Sequence, residues 1–199
     1  LTLIDAGLPG SHRKILRYMS DSGYAPEDLK RILITHADFD HIGGLAALKA
    51  ATGARIFASP VEAQAMAEGH SSRPLKPRRR VTKLLFDLMT RLFKPASIQV
   101  DELLSDGQIL PILGGLGVVE TPGHTPGHIS LFLPSSGVLF CGDSIVSGET
   151  GLRGSRGANN WDQAKSDESV RKQAALGAHI LCSGHGPVVM DAAGKFPQF

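Results

Sequence analysis

Cysteine is scarce in this chain: Cys141 and Cys182 are the two present in 199 residues. Two thiols cannot staple a chain of this length, so a disulfide scaffold is excluded. Both lie in apolar, strand-like runs. They read as reduced residues of the interior or beside a site, which suits a reducing compartment and gives the expectation of a cytoplasmic protein. Long hydrophobic runs are missing as well. No stretch of ~18 apolar residues occurs, which excludes a helical membrane span. No signal peptide is visible, no internal repeat stands out, and no low-complexity tract is present. The sequence also lacks a serine or cysteine nucleophile paired with a base in a recognisable motif, so a covalent intermediate is not invoked.

What is present is a mixed pattern with an apolar fraction of 42% and a mean hydropathy near zero. That suits a soluble chain with a sizeable core, read as a single domain over 1–199 or one domain with an insertion. The most informative segment is Thr35-His36-Ala37-Asp38-Phe39-Asp40-His41. It packs two imidazoles and two carboxylates into six residues. An apolar, β-branched run (Ile32 to Thr35) precedes it and Gly43-Gly44 follows, which reads as strand, tight loop, helix start. An extended loop there would send His36, Asp38 and Asp40 to one side, with His41 approaching a second point nearby. Three further loops carry the same residue types. Thr121 to His128 is punctuated by Gly and Pro. Leu139 to Ser144 ends a strand with Asp143, and Leu181 to Pro187 ends another with His185. Each ligand-type residue sits beside a glycine, which allows close approach of backbone or a sharp turn. Four strand-end loops bearing His and Asp point to a metal site rather than to packing.

These ordered motifs resemble the metallo-β-lactamase fold superfamily of two-metal hydrolases. The signature His-x-His-x-Asp-His, then a lone His, a lone Asp and a last His, corresponds here to His36, Asp40, His41, His124, Asp143 and His185. The resemblance runs from Leu3-Ile4-Asp5-Ala6-Gly7 to Pro187. It implies an α/β (α+β) fold, a four-layer αβ/βα sandwich with two divalent metal ions at one edge of two facing sheets. The superfamily usually has a strand hairpin ahead of the point where this chain begins, at Leu1 without Met. The expectation is that N-terminal strands are missing, and a lost targeting segment stays open. One position departs from the signature: Asp38 stands where the second histidine belongs. By resemblance, one ion would be held by His36, Asp38 and His124, the other by Asp40, His41 and His185, with Asp143 bridging. Zinc is the family expectation. The added carboxylate lowers the centre's positive charge, and oxygen ligands shift preference toward iron or manganese. Asp38 is read as a ligand, against a hydrogen-bonding role or the mark of a lost metal position.

The expected reaction is attack by a metal-bridging hydroxide on an ester, thioester, lactone or phosphoester, with Asp40 catalytic because it would hold both metal and attacking water. The Thr-Pro-Gly-His-Thr-Pro-Gly-His loop is similar to that of hydroxyacylglutathione hydrolases and related thioesterases and lactonases. The chain ends soon after the last motif, so a glutathione-binding C-terminal helical domain is not expected, which weakens the glutathione-thioester reading. Two other readings stay open. Flavodiiron oxygen reductases carry an acid at the place of Asp38, which would make this a diiron redox protein. A non-catalytic metal-binding module is the third.

The remaining chain alternates strands and helices. Strands are expected at Leu3–Asp5, Ile32–Thr35, Arg55–Ala58 and His179–Cys182. Helices are expected at Ser11–Ser22, stopped by Gly23, at Leu45–Ala51, stopped by Gly53, at Asp162–Ala175, and from Ser59-Pro60-Val61-Glu62, read as N-cap, first-turn proline and capping-box acid, to Glu68. Short strands with turns follow Leu103. Between residues 70 and 100 eight Lys or Arg accompany one acid, Asp87. An amphipathic helix over about 80–94 is expected inside an insertion of about 70–97. It reads as a basic helix packed on the domain, as a lid attracting a small, anionic substrate, as a membrane-surface contact, or as a dimer contact. No nucleic-acid partner is expected, and the oligomeric state is unknown. His128 reads as packing or orienting its loop, and His12, His70 and His179 as surface or core residues. Asp5 either hydrogen-bonds a ligand histidine or caps a turn. Asn159, Asn160 and Trp161 either line the pocket or belong to a surface loop.

Overall fold

The computed structural model describes residues 1–73, 97–148, 151–157 and 160–197. Most of the 70–97 insertion, including the expected helix at 80–94, and Asn159 lie outside the described residues. The described residues form two compact units, residues 1–57 with 62–102 and residues 58–61 with 103–199.

The first unit is built on consecutive β-α-β crossovers. Strands β1 (Thr2–Ile4), β2 (Arg31–Leu33) and β3 (Arg55–Ala58) run parallel, with β4 (Glu102–Leu103) completing the order β1-β2-β3-β4. Helix α1 (Ser11–Asp21) joins β1 to β2. The short α2 (Phe39–Ile42) and α3 (Leu45–Thr52) join β2 to β3, and α4 (Pro60–Glu68) follows β3. The continuous run Ile32-Leu33-Ile34 is fully buried, as expected for a parallel strand covered on both faces. Leu45, Leu48, Ile56 and Met66 are buried in the same unit.

Helix ends fall where the sequence places its stops. Gly23 (φ 82°) follows α1, and Gly53 (φ 69°) caps α3 in the left-handed conformation that glycine tolerates best. Gly43 and Gly44 serve a different purpose. A Cβ on Gly43 would stand 2.3 Å from Pro9 Cδ, and one on Gly44 would stand 2.5 Å from the Ala6 carbonyl oxygen. The loop after β1 therefore packs directly on the backbone after α2, and Gly7 forms a parallel bridge to Ile42.

The second unit holds a six-stranded sheet in the order β12-β11-β8-β7-β6-β5. Its strands are β5 (Ile109–Leu110), β6 (Leu116–Glu120), β7 (Ile129–Leu133), β8 (Val138–Gly142), β11 (Ile180–Ser183) and β12 (Val189–Met190). β5 to β8 pair antiparallel and β8 pairs parallel with β11. A separate hairpin joins β9 (Ile145–Gly148) to β10 (Gly151–Gly154). Helix α5 (Gln163–Ala174) is opened by Asp162, whose side chain accepts from the Lys165 N–H, as an N-cap should. Leu139, Cys141, Ile145, Val170 and Leu181 form the core. Cys141 is buried and Cys182 half-buried, and both are free. Burial pushes the Cys141 thiol far up, well above the range of a reactive thiolate. Among the described residues no helix is long and apolar enough to cross a membrane.

Candidate metal centre

In each unit the topology gathers the singled-out residues at one sheet edge. β1 and β2 are parallel and adjacent, so Asp5, just past β1, and the segment Thr35 to His41, just past β2, leave the sheet side by side. In the second unit the β6–β7 turn carrying His124, the end of β8 before Asp143 and the end of β11 before His185 also lie at one edge. Antiparallel β6-β7-β8 and parallel β8-β11 pairing require this.

The first unit fixes two histidines from behind. Asp5 has φ 58°, a left-handed conformation that Asp adopts more readily than most side chains. Its Oδ1 accepts the Thr35 backbone N–H at 2.8 Å, and its Oδ2 accepts the Thr35 hydroxyl at 2.8 Å. The same Oδ2 is 2.8 Å from His41 Nδ1. Thr35 Oγ1 is also 3.0 Å from His36 Nδ1. A threonine hydroxyl has one proton, and an ionised carboxylate only accepts. Thr35 therefore donates to Asp5 and accepts from His36 Nδ1–H, while His41 Nδ1–H donates to Asp5. This accounting places a proton on Nδ1 of both rings, so the network engages each ring through that nitrogen. The two rings stand 4.0 Å apart between centroids. Of the two readings of Asp5, the contact to His41 is the one observed.

The expected extended loop holds only as far as Asp38. His36 Nε2 and Asp38 Oδ2 are 3.7 Å apart. A helical turn then begins at Phe39, so Asp40 and His41 ride on α2 rather than on an extended strand. Asp38 flanks that turn, its carbonyl accepting from the His41 and Ile42 N–H groups. Its carboxylate is clasped by residues the motif does not contain. Ser71 donates to Oδ1 at 2.7 Å, and Arg73 donates to Oδ2 from Nη2 at 2.6 Å and from Nε at 3.2 Å. Glu62, fully buried, accepts the Ala37 N–H at 2.9 Å and the Ser72 hydroxyl at 2.7 Å. Ser71, Ser72 and Arg73 thus stitch one short segment along the loop. Sequence reading counted Arg73 only as part of a basic run and Glu62 only as a capping acid. Nothing in local spacing marks a partner 35 residues away.

In the second unit, His124 Nε2 is 3.7 Å and His185 Nε2 3.4 Å from Asp143 Oδ2. His124 Nδ1 meets Ser155 Oγ at 3.1 Å. Gly123 (φ 142°) brings its backbone against α5, where a Cβ would stand 2.3 Å from Ser166 Cα. His128 lies behind this group, as the reading of an orienting residue holds. Its Nε2 accepts the Asp143 backbone N–H at 3.1 Å. Its Nδ1–H therefore donates to Thr121 Oγ1 at 2.8 Å. Thr121 then passes its single proton to Ser130 Oγ at 2.9 Å, and Ser130 donates to Gln173 Oε1 at 3.1 Å. The whole chain is buried and runs in one direction. Trp161 and Asn160 are tied to this unit through backbone: the Trp161 N–H donates to the His124 carbonyl, and Asn160 Nδ2 donates to the Ser155 carbonyl.

The donor set is imidazole nitrogen and carboxylate oxygen, with clustered groups of the kind that hold a divalent ion. No thiolate belongs to it. That chemistry fits a first-row divalent metal such as zinc, iron or manganese.

Comparison with known proteins gives related matches. The chain is 30% identical over 197 residues to the probable metallo-hydrolase YflN of Bacillus subtilis (strain 168), covering 92% of this chain and 74% of YflN. It is 32% identical over 175 residues to a hydroxyacylglutathione hydrolase of Cereibacter sphaeroides, covering 86% of this chain and 52% of that protein. The chain thus spans about half the length of that relative. The crystal structure of TTHA1623 in a di-iron-bound form superposes with a TM-score of 0.70 at 25% identity, covering 98% of this chain and 87% of that one. A family model described as the metallo-beta-lactamase superfamily matches residues 1–185.

Proposed function

The chain belongs to the metallo-β-lactamase superfamily, and from that premise we propose that it is a metal-dependent hydrolase of a small-molecule ester, thioester, lactone or phosphoester. The observation that carries this reading is the Asp5–Thr35 network, which engages His36 and His41 each through Nδ1, so that Nε2 is the nitrogen each ring can offer as a ligand. Following the order of the superfamily signature, His36, Asp38 and His124 would hold one ion, Asp40, His41 and His185 would hold the other, and Asp143 would be shared. The superfamily supports this assignment, and the two clusters described above supply donors of the right type. Bound divalent metal supplies an activated water and a Lewis acid for the oxygen that gains charge. The protein's own share is to orient the donors. Asp5 sets two imidazoles, His128 holds the Asp143 backbone, and Asp40 would hold both its ion and the attacking water. The buried Cys141 is no nucleophile, which favours direct attack by water over a covalent intermediate.

Zinc follows from the superfamily. The di-iron form of TTHA1623 and the extra carboxylate Asp38 favour testing iron and manganese beside it. The test is metal analysis by mass spectrometry on the chain purified without chelators, followed by a turnover screen with esters, lactones, thioesters and phosphodiesters. About two metals per chain and chelator-sensitive hydrolysis, reduced ~100-fold or more in Asp40→Asn, are expected. A chain that takes up no metal on reconstitution would sink the proposal. Iron with oxygen-dependent turnover and no hydrolysis would replace it by a redox role.

A further inference from the structure

We propose that Arg73 is a resident counter-cation of Asp38 which an ion at the His36–Asp38 position must partly displace, so that Arg73 sets how tightly that ion is held. The inference rests on the metal reading above and concerns residues of the first unit alone.

Asp38 puts a negative charge where the superfamily signature has a neutral imidazole. The charge is shielded: the side chain of Asp38 is 9% exposed and that of Arg73 13%. A carboxylate in such a place needs a counter-charge or several donors. It has both. Ser71 fills Oδ1, and the Arg73 guanidinium turns two N–H groups onto Oδ2. The clasp is anchored one residue away, because Ser72 donates to Glu62 and Glu62 holds the Ala37 backbone.

The oxygen that Arg73 holds is the one turned to His36. Asp38 Oδ2 stands 3.7 Å from His36 Nε2, the ring nitrogen opposite the one that meets Thr35. A carboxylate oxygen offers about two lone-pair directions, and the two Arg73 donors already point at this one. An ion shared by His36 Nε2 and Asp38 Oδ2 therefore takes a lone pair from Arg73. The longer bond, from Nε at 3.2 Å, is the one to yield. The guanidinium stays close by, and its charge repels the ion. Arg73 thus keeps Asp38 folded and neutralised when the position is vacant and weakens ion binding when it is filled. Of the two ions, the one at Asp38 becomes the readily exchanged one.

The test is a zinc titration of the full chain in competition with a chromophoric chelator, for the parent, Arg73→Met and Arg73→Lys. Arg73→Met keeps the aliphatic stem without the charge. One of the two ions should bind ~10-fold more tightly in Arg73→Met, the other should be unchanged, and Arg73→Lys should stay near the parent. Equal or weaker zinc binding by folded Arg73→Met overturns the inference, because Arg73 would then support the ligand rather than compete for it. If Arg73→Met does not fold by circular dichroism, the Arg73 Nε–H resonance of the parent, assigned by its loss in Arg73→Lys, decides. It should move as the weaker zinc ion binds, and a stationary resonance overturns the inference. A parent chain that binds no zinc, iron or manganese removes the metal reading and this inference together. Two ions in the parent with no effect of Arg73→Met removes this inference alone.

Discussion

Asp5 Oδ2 stands 2.8 Å from His41 Nδ1, across 36 residues of chain, and through Thr35 the same carboxylate governs His36. One acid at the end of β1 therefore decides which nitrogen of two imidazoles is taken up by the network. Replacing Asp5 by Asn keeps the shape but weakens the acceptor and removes the charge. Zinc affinity should fall ~10- to 100-fold in Asp5→Asn, read by chelator competition. An unchanged affinity would mean that the rings are held by packing alone.

The buried chain from the Asp143 N–H through His128, Thr121 and Ser130 to Gln173 should behave as a unit. Thr121→Val replaces the middle hydroxyl by a methyl of similar size. It strands a donor on His128 and an acceptor on Ser130, at a cost of about 1–3 kcal/mol. Urea unfolding should show the midpoint fall, and a midpoint equal to the parent's would mean that a water takes the hydroxyl's place.

Two glycines with positive φ separate strain from collision. Gly53 (φ 69°) faces open space, whereas a Cβ on Gly123 (φ 142°) would meet Ser166 at 2.3 Å. Gly53→Ala should cost about 1 kcal/mol. Gly123→Ala should cost more than ~2 kcal/mol, since strain and overlap add. Thermal melts of the pair check the ranking.

Asp101 ties α3 to β3, accepting from Lys49 Nζ and from the Ile56 backbone N–H. Burial pushes its carboxyl pKa up, but these hydrogen bonds and the Lys49 charge outweigh it and hold the carboxyl below its ordinary value. A pKa lower in the folded state stabilises the fold above the unfolded value, and the gain is lost as pH falls through the folded one. The parent should exceed Asp101→Asn by about 1 kcal/mol near pH 7, a modest figure because the pair is partly exposed. The gap should close as the pH drops below about 4. Paired denaturation curves at the two pH values test it.

Much of the site is legible in the sequence because its donors lie at strand ends in a fixed order. The apolar run before His36 and those before Asp143 and His185 mark strands β2, β8 and β11, and the glycines beside the donors mark where the chain turns. Helix ends at Gly23, Gly53 and Asp162 were legible for the same local reason. What surrounds Asp38 was not. Arg73 and Glu62 reach the loop from 35 and 25 residues away, each as a single polar residue with no periodicity to announce it. The Thr121–Ser130–Gln173 chain was equally silent, since three small polar residues on a strand, a turn and a helix resemble ordinary surface composition until folding buries them. The start of α2 at Phe39 was missed because a single helical turn has too few residues to show a period.

The pairing of β1 with β2 has a consequence for the order of events. Before folding, His36 and His41 rotate freely and exchange protons between two nitrogens. Once the strands pair, each ring is held through its Nδ1 by the network of Asp5 and Thr35. The loss of rotational entropy thus belongs to folding rather than to ion capture.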